Sequence, residues 1–155
     1  MSNDLVLHRI LKAKRSTIWR CWTEPDLLKP WFVPKPHSVT DVKIDLRPGG
    51  QFFTMMKVDG KDYPNDGSYL HVAPQEKLVF TDMMLADYKP VDNPGLGFTA
   101  TLTFKDHAEG TEYTVVARHR NQADADKHEA MGFTEGWGTV ATQLEAFAAA
   151  LDRQK

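Results

Sequence analysis

FTEGWGTVATQLEAFAAAL, residues 133–151, is the stretch on which the fold turns. Phe133, Trp137, Val140, Ala141, Leu144, Phe147, Ala148 and Leu151 recur at three- and four-residue steps, which draws one apolar stripe along a long helix. FTATLTFK, residues 98–105, keeps a different period: Phe98, Ala100, Leu102 and Phe104 alternate with Thr99, Thr101, Thr103 and Lys105. That alternation predicts a strand with one covered face. A helix with one apolar stripe and a sheet with one apolar face each need the other. Gly132, Gly136 and Gly138 crowd the N-terminal end of the helix, and each costs about 1 kcal/mol of helix propensity relative to alanine. Close approach of the backbone to the sheet, or to a bound molecule, is the expected compensation.

Working back towards the N-terminus, residues 38–120 read as strands and turns. Thr40, Val42, Ile44 and Leu46 share a face and lead into Pro48-Gly49-Gly50. Residues 51–58 follow, with Phe52, Thr54 and Met56 on one side and Phe53 and Met55 on the other. Asp59-Gly60 is a two-residue hairpin signal. Residues 67–72 and 77–83 flank a turn at Pro74, residues 85–97 form a long loop, and Tyr113, Val115 and Ala117 carry one more strand after Gly110. Near the start, Leu5, Leu7 and Leu11 alternate with Val6, His8 and Ile10 in a first strand. A short helix over 16–22 comes next, then a second one opened by Thr23 as cap, with Pro25 in its first turn and Leu27, Leu28 and Trp31 on its buried side. The result is one α+β domain over 1–155: a strand, two short helices, about six strands and a long helix lying across a curved antiparallel sheet.

Composition narrows the function. Hydrophobic residues make up 41% of the 155, too many for a disordered chain. The 19 Lys and Arg against 21 Asp and Glu leave a net charge of −2, without the basic excess that nucleic acid selects. Cys21 is the only cysteine, so neither a disulfide framework nor a cysteine-based zinc site is available. Met1-Ser2-Asn3-Asp4-Leu5 lacks the basic start and apolar core of a secretory signal, and no apolar run approaches the roughly 18 residues of a membrane span. These readings predict a cytoplasmic protein with no membrane or nucleic-acid partner.

Several segments, in order, carry a resemblance: Trp22-Thr23-Glu24-Pro25 with Leu28 and Trp31; Asp45-Leu46-Arg47-Pro48-Gly49-Gly50; Asp59-Gly60; Gly67 with Tyr69; Pro74 with Leu78-Val79-Phe80-Thr81; Gly110-Thr111; and His128 with Met131-Gly132-Phe133 and Gly136-Trp137. Together they resemble the START-like (SRPBCC) superfamily, in its bacterial branch named after the activator of the heat-shock chaperone's ATPase. The resemblance covers essentially the whole chain. It implies a helix-grip fold, with a seven-stranded antiparallel sheet wrapped around the C-terminal helix, two short helices after the first strand, and a hydrophobic cavity between helix and sheet. Members mostly bind small apolar ligands, and some relatives are polyketide cyclases. Where relatives often carry an acid two residues after the tyrosine of the Gly67-Tyr69 strand, this chain has His71, which removes any role built on that acid.

The inner-face residues Phe52, Thr54, Met56, Tyr69, Phe80, Phe98, Met131 and Trp137 are the expected pocket lining, with Trp31 at its mouth and His71 beside Tyr69. Thr54, Tyr69 and His71 would orient a ligand's polar end, while the same apolar set could equally fill an ordinary core. The six histidines show no H-x-x-x-H pair, so they read as surface or singly bonded groups rather than metal ligands, and no cofactor is implied. There is no G-x-S-x-G elbow, and Cys21 reads as an inert buried thiol. Gly49-Gly50 and the pair Gly95 and Gly97 stand between strands and are not phosphate loops. Asp45 and Arg47 read as a structural ion pair, and His128 as a group that fastens the start of the final helix. Phe53 and Met55 on the wet face suggest a homodimer contact, or else the opposite facing of this strand.

Three functions follow. The first is a binding module that holds a small hydrophobic or amphipathic molecule under a lid formed by residues 85–97. The second is a cyclase- or hydratase-type enzyme in which Tyr69 and His71, placed on one face by alternation, act as acid and base. A chaperone partner is suggested by the family name alone; partners of that kind in eukaryotes carry a further N-terminal domain that 155 residues do not accommodate.

Overall fold

The computed structural model describes residues 4–92, 94 and 96–154. The signal reading at Met1–Asn3 and the glycine at 95 lie outside the described residues. Strand β1 (Asp4–Leu11) is followed by helices α1 (Arg15–Thr23) and α2 (Pro25–Leu28), then by β2 (Ser38–Ile44), β3 (Gln51–Val58), β4 (Lys61–Ala73) and β5 (Lys77–Thr81). Two very short strands, β6 (Met84–Leu85) and β7 (Lys89–Pro90), pair with each other, and β8 (Phe98–His107) and β9 (Gly110–His119) complete the sheet. Helices α3 (Gln122–Ala130) and α4 (Phe133–Arg153) end the chain. The sheet order is β1-β9-β8-β5-β4-β3-β2, antiparallel throughout, so this is the α+β helix-grip architecture with two short helices after the first strand.

Local chemistry explains the joints. At the β3–β4 turn Asp59 and Gly60 both have positive φ, 52° and 79°, the backbone of a tight hairpin that follows the strands' twist. Pro25 takes the first position of α2, where its missing N–H costs nothing. Thr23 does not cap that helix. Its hydroxyl donates to the Trp19 carbonyl and closes the last turn of α1, while Glu24, the residue before Pro25, holds Arg20 at 2.9 Å. The N-terminus of α1 is instead satisfied from across the fold: the Asp152 carboxylate on α4 accepts from the Lys14 backbone N–H at 2.8 Å and from the Thr17 hydroxyl.

The core lies between α4 and the sheet and is closed at one side by α1. Leu7, Leu11, Ile18, Trp22, Leu102, Phe104, Tyr113, Val115, Leu144 and Ala148 are buried there. Trp22 is fully buried, and its indole N–H donates to the Tyr113 hydroxyl at 3.2 Å, so burial of the ring leaves no orphaned donor. Cys21 is buried beside it, and burial pushes its thiol up to about 12, an inert thiol as expected. Phe53 and Met55 do lie on the outer face; the Lys43 ammonium sits 5.4 Å above the Phe53 ring and covers part of it.

Two elements were not legible in advance. Helix α3 has no apolar periodicity; Asn121 caps it by accepting from the Asp124 N–H at 2.8 Å, and Ala125 and His128 are its buried residues. Residues 84–90, at the start of the expected long loop, form the β6–β7 ribbon and are bonded to their neighbours. Asp87 N–H donates to the Gly49 carbonyl at 2.7 Å, and Val91 N–H to the Met83 carbonyl at 3.1 Å. Arg47 bridges Asp45 at 2.8 Å and Asp87 at 3.4 Å, so the expected ion pair also reaches the loop. Gly49 (φ +81°) lies under Tyr88, where a Cβ would stand 2.7 Å from the ring.

Candidate functional site

A cavity of about 540 Å³ opens between the N-terminal half of α4 and the sheet. Its walls come from β3 (Phe52, Thr54, Met56), β5 (Phe80, Thr81), β8 (Phe98), the 82–97 segment (Asp82, Leu85, Val91, Leu96), the turn after α2 (Phe32, Val33) and the α3–α4 corner (His128, Met131, Phe133, Gly136, Trp137, Val140). Aromatic rings form its frame. Phe52 meets Phe80 edge-on at 4.9 Å and Phe32 at 6.0 Å; Phe80 meets Phe98 at 6.3 Å; Phe133 lies 5.8 Å from Trp137. Trp137 stacks on buried Trp22 at 6.2 Å and 19°, so Trp22 separates the cavity from the filled core behind it. Ring contacts of this kind hold a wall rigid without filling the space in front of it.

Seven of the ten residues expected in the lining are brought together here: Phe52, Thr54, Met56, Phe80, Phe98, Met131 and Trp137. Met131 is 65% exposed and stands at the rim. Trp31, Tyr69 and His71 are not in the wall. Trp31 turns fully into the core, 5.0 Å from Trp22, because Gln143 on α4 donates to the carbonyls of Trp31 and Val33 and fixes that turn; Phe32 takes the place at the cavity instead. Tyr69 lies behind the wall, stacked on Phe52 at 5.2 Å and 21°, and burial raises its pKa far above that of a free phenol. His71 is exposed on the opposite face of the sheet. A β-bulge causes this: Tyr69 pairs with Phe80 but His71 with Val79, so the extra residue reverses the alternation between them. Tyr69 and His71 therefore share no face and cannot act together as acid and base.

The polar groups at the cavity are others. The Asp82 carboxylate accepts from three successive backbone N–H groups, Leu96 at 2.9 Å, Gly97 at 3.1 Å and Phe98 at 3.0 Å, which fastens the far end of the 85–97 loop. With the Asp87–Gly49 bond at its near end, the described residues at both ends of this segment are bonded to the strands beside them. Asp66 faces the cavity from β4. His128, buried on α3, bonds through Nδ1 to Nε2 of His119 at 2.8 Å, and its ring sits 5.0 Å from Phe98 and 5.1 Å from Phe133. Burial first, and the neighbouring His119 second, lower the His128 pKa to about 4, so the ring is neutral near pH 7. No sequence pattern pairs His119 with His128, since the strand end and the helix meet only through the β9–α3 turn.

The glycines of α4 also find their reason here. Gly132 adopts φ +95°, which lets the chain turn from α3 into α4. A Cβ at Gly136 would meet nothing within 4 Å and would point into the cavity, so closeness to the sheet does not explain it. Among the described residues no three His, Cys, Asp or Glu side chains converge as a metal site would require, and no helix is long and apolar enough to cross a membrane.

The comparisons with known proteins agree with this architecture. The family described as Activator of Hsp90 ATPase homolog 1-like protein matches residues 12–149. The chain belongs to that family. A crystal structure from Nitrosomonas europaea is 41% identical and superposes with a TM-score of 0.92, covering 96% of each chain. One from Mycobacterium smegmatis is 27% identical, with a TM-score of 0.82 over 97% of this chain and 93% of that one. An AHSA1-like protein from Aeromonas hydrophila shares the fold at 15% identity, with a TM-score of 0.75 over 96% and 94%. Among curated proteins nothing matches. This family has the SRPBCC fold, a fold of ligand-binding domains.

Proposed function

We propose that the chain is a binding module whose ligand is a small hydrophobic or amphipathic molecule held between α4 and the sheet. The observation that carries this reading is the cavity of about 540 Å³ framed by Phe32, Phe52, Phe80, Phe98, Phe133 and Trp137. A well-packed core leaves few voids larger than a water molecule. A space of this size, inside the range of small-molecule pockets, has a wall of fixed rings and a polar point at only a few places, which is the composition of a ligand site. An acid–base enzyme is the weaker reading, because the two residues expected to carry it lie outside the cavity.

The test uses Nile red, an uncharged dye whose emission shifts to the blue in apolar surroundings. The full-length protein should bind one dye per chain, and Gly136→Leu should abolish binding by filling the space while improving helix propensity. Native mass spectrometry of protein purified from its own host should show a bound mass that the leucine variant lacks. Equal dye binding by both proteins would overturn the reading.

A further inference from the structure

We propose that His128 is the cavity's polar recognition point and that it selects an uncharged, hydroxyl-bearing ligand over a carboxylate of the same shape. This deepens the binding reading above and rests on it. The ring is 6% exposed, lines the cavity, and has its Nδ1 committed to His119 Nε2 at 2.8 Å, which leaves Nε2 as the polar atom it can offer inward. Position is fixed from both sides. Phe98 lies 5.0 Å away and Phe133 5.1 Å away, and His119 is itself stacked on Phe98 at 6.2 Å and 26°. An imidazole nitrogen at the edge of an apolar space gains from a ligand group that bonds to it.

The chemistry of the partner follows from proton counting. The contact between the two rings holds one N–H, carried by either ring. If His119 donates, His128 Nε2 carries a proton and donates into the cavity; if His128 donates, its Nε2 is an acceptor. A hydroxyl answers either arrangement, since it both donates and accepts. A carboxylate answers only the first, and it would also enter a wall whose other ionisable residues, among the described ones, are Asp66 and Asp82, with no described lysine or arginine to offset them. Asp82 is held by three N–H groups and Asp66 lies at an exposed position, and an incoming carboxylate would be set beside both. The hydrophobic frame admits the body of the ligand and the electrostatics choose its end.

Naphthalene, 2-naphthol and 2-naphthoate share one ring system and separate these effects. At pH 7.5 the wild-type protein should bind naphthol about fivefold to tenfold more tightly than naphthalene, although the hydroxyl alone makes naphthol the poorer partner for an apolar space. Naphthoate should bind at least about tenfold more weakly than naphthol. In His128→Phe the naphthol preference should vanish while naphthalene still binds. On the unsubstituted protein, the His128 Nε2 nitrogen resonance should move on adding naphthol and stay in place on adding naphthalene, a readout that does not depend on the variant folding. Naphthalene bound without a naphthol preference, a preference that survives in His128→Phe, an unmoved resonance, or naphthoate binding as tightly as naphthol would each overturn the His128 assignment alone. Failure of naphthalene and naphthol both to bind the wild type would overturn the cavity reading and this assignment with it.

Discussion

Helix α4 meets the sheet twice along one apolar stripe, and the two meetings end differently. From Ala141 to Ala148 the gap is filled: Ala141, Leu144 and Ala148 are buried against α1 and β1, with Trp19, Phe104 and Tyr113 closing the space behind them. From Gly132 to Val140 the same stripe faces a cavity. Periodicity is equal in both halves; side-chain size is not. Leucine and alanine interdigitate with rings from the sheet, whereas glycines on the helix and upright rings on the strands leave space. Trp22 stands between the halves, bonded to Tyr113 on one side and stacked on Trp137 on the other. One fold thus carries a stability half and a binding half, and substitutions can separate them.

The widest separation should come from a pair of substitutions one on each side of Trp22. Leu144 is fully buried in the filled half, and Leu144→Ala should cost about 2–5 kcal/mol, the transfer term plus the cavity left behind. Trp137 is only partly buried at the cavity. Trp137→Phe keeps an aromatic ring there and should cost less than about 1 kcal/mol, the range of volume-tolerant changes. Its effect should appear as a severalfold weaker affinity for Nile red. Urea unfolding and dye titration on both variants measure this. Equal stability losses with unchanged dye affinity in Trp137→Phe would erase the distinction and make Trp137 an ordinary core residue.

Acid should act on the binding half. His128 has its folded pKa lowered to about 4, against about 6.5 in the unfolded chain, by burial and by His119. The neutral ring is thus the folded form, and the unfolded chain binds the proton first. Its contribution is fully present above about pH 6.5, is lost as pH falls through the interval, and stops changing below about pH 4. The loss should be on the order of 3 kcal/mol. Unfolding free energies measured from pH 7 to pH 4 should show this slope in the wild type and a shallower one in His128→Phe. Identical slopes would place the acid sensitivity in other groups; Glu112 beside His8 acts at lower pH, because that carboxylate, held below its usual range by the His8 bond, loses its stabilising effect only as pH falls through its own lowered pKa.

How much of this could be read in advance depends on what kind of information each part uses. The sheet, the Asp59-Gly60 hairpin and α4 rest on local patterns, and the strand and helix periods reveal them directly. Six of the seven wall residues lie on β3, β5, β8 and the stripe of α4, and Met131 stands at the corner before that helix. Tyr69 and His71 were misplaced together because alternation holds only while the register holds, and the bulge between them leaves no mark in the residue types. Trp31 was misplaced because Gln143, 112 residues away, decides which way its turn faces. Helix α3 lacks an apolar period, and the His119–His128 contact is made only in the folded chain; neither has a local signature. Local order was legible, and long-range polar contacts were not.

The smallest expected effect sharpens the comparison most, because it acts within a single helix turn. Gly136 and Gly138 are near neighbours on α4, and both lower its propensity. A Cβ at Gly138 would stand 2.9 Å from the Arg9 guanidinium, the far end of a flexible side chain that can shift. A Cβ at Gly136 would enter open space in the cavity. Replacing either glycine by alanine should therefore stabilise the chain by about 0.4–1 kcal/mol, through reduced freedom of the unfolded state. Binding should divide them. Gly136→Ala takes a methyl's volume from the ligand space and should alter Nile red affinity, whereas Gly138→Ala should leave it as in the wild type. Thermal unfolding and dye titration of the two variants decide the point. If both shift the affinity alike, or neither does, then the hollow half does not begin where Gly136 faces it, and its glycines serve the helix junction rather than the ligand.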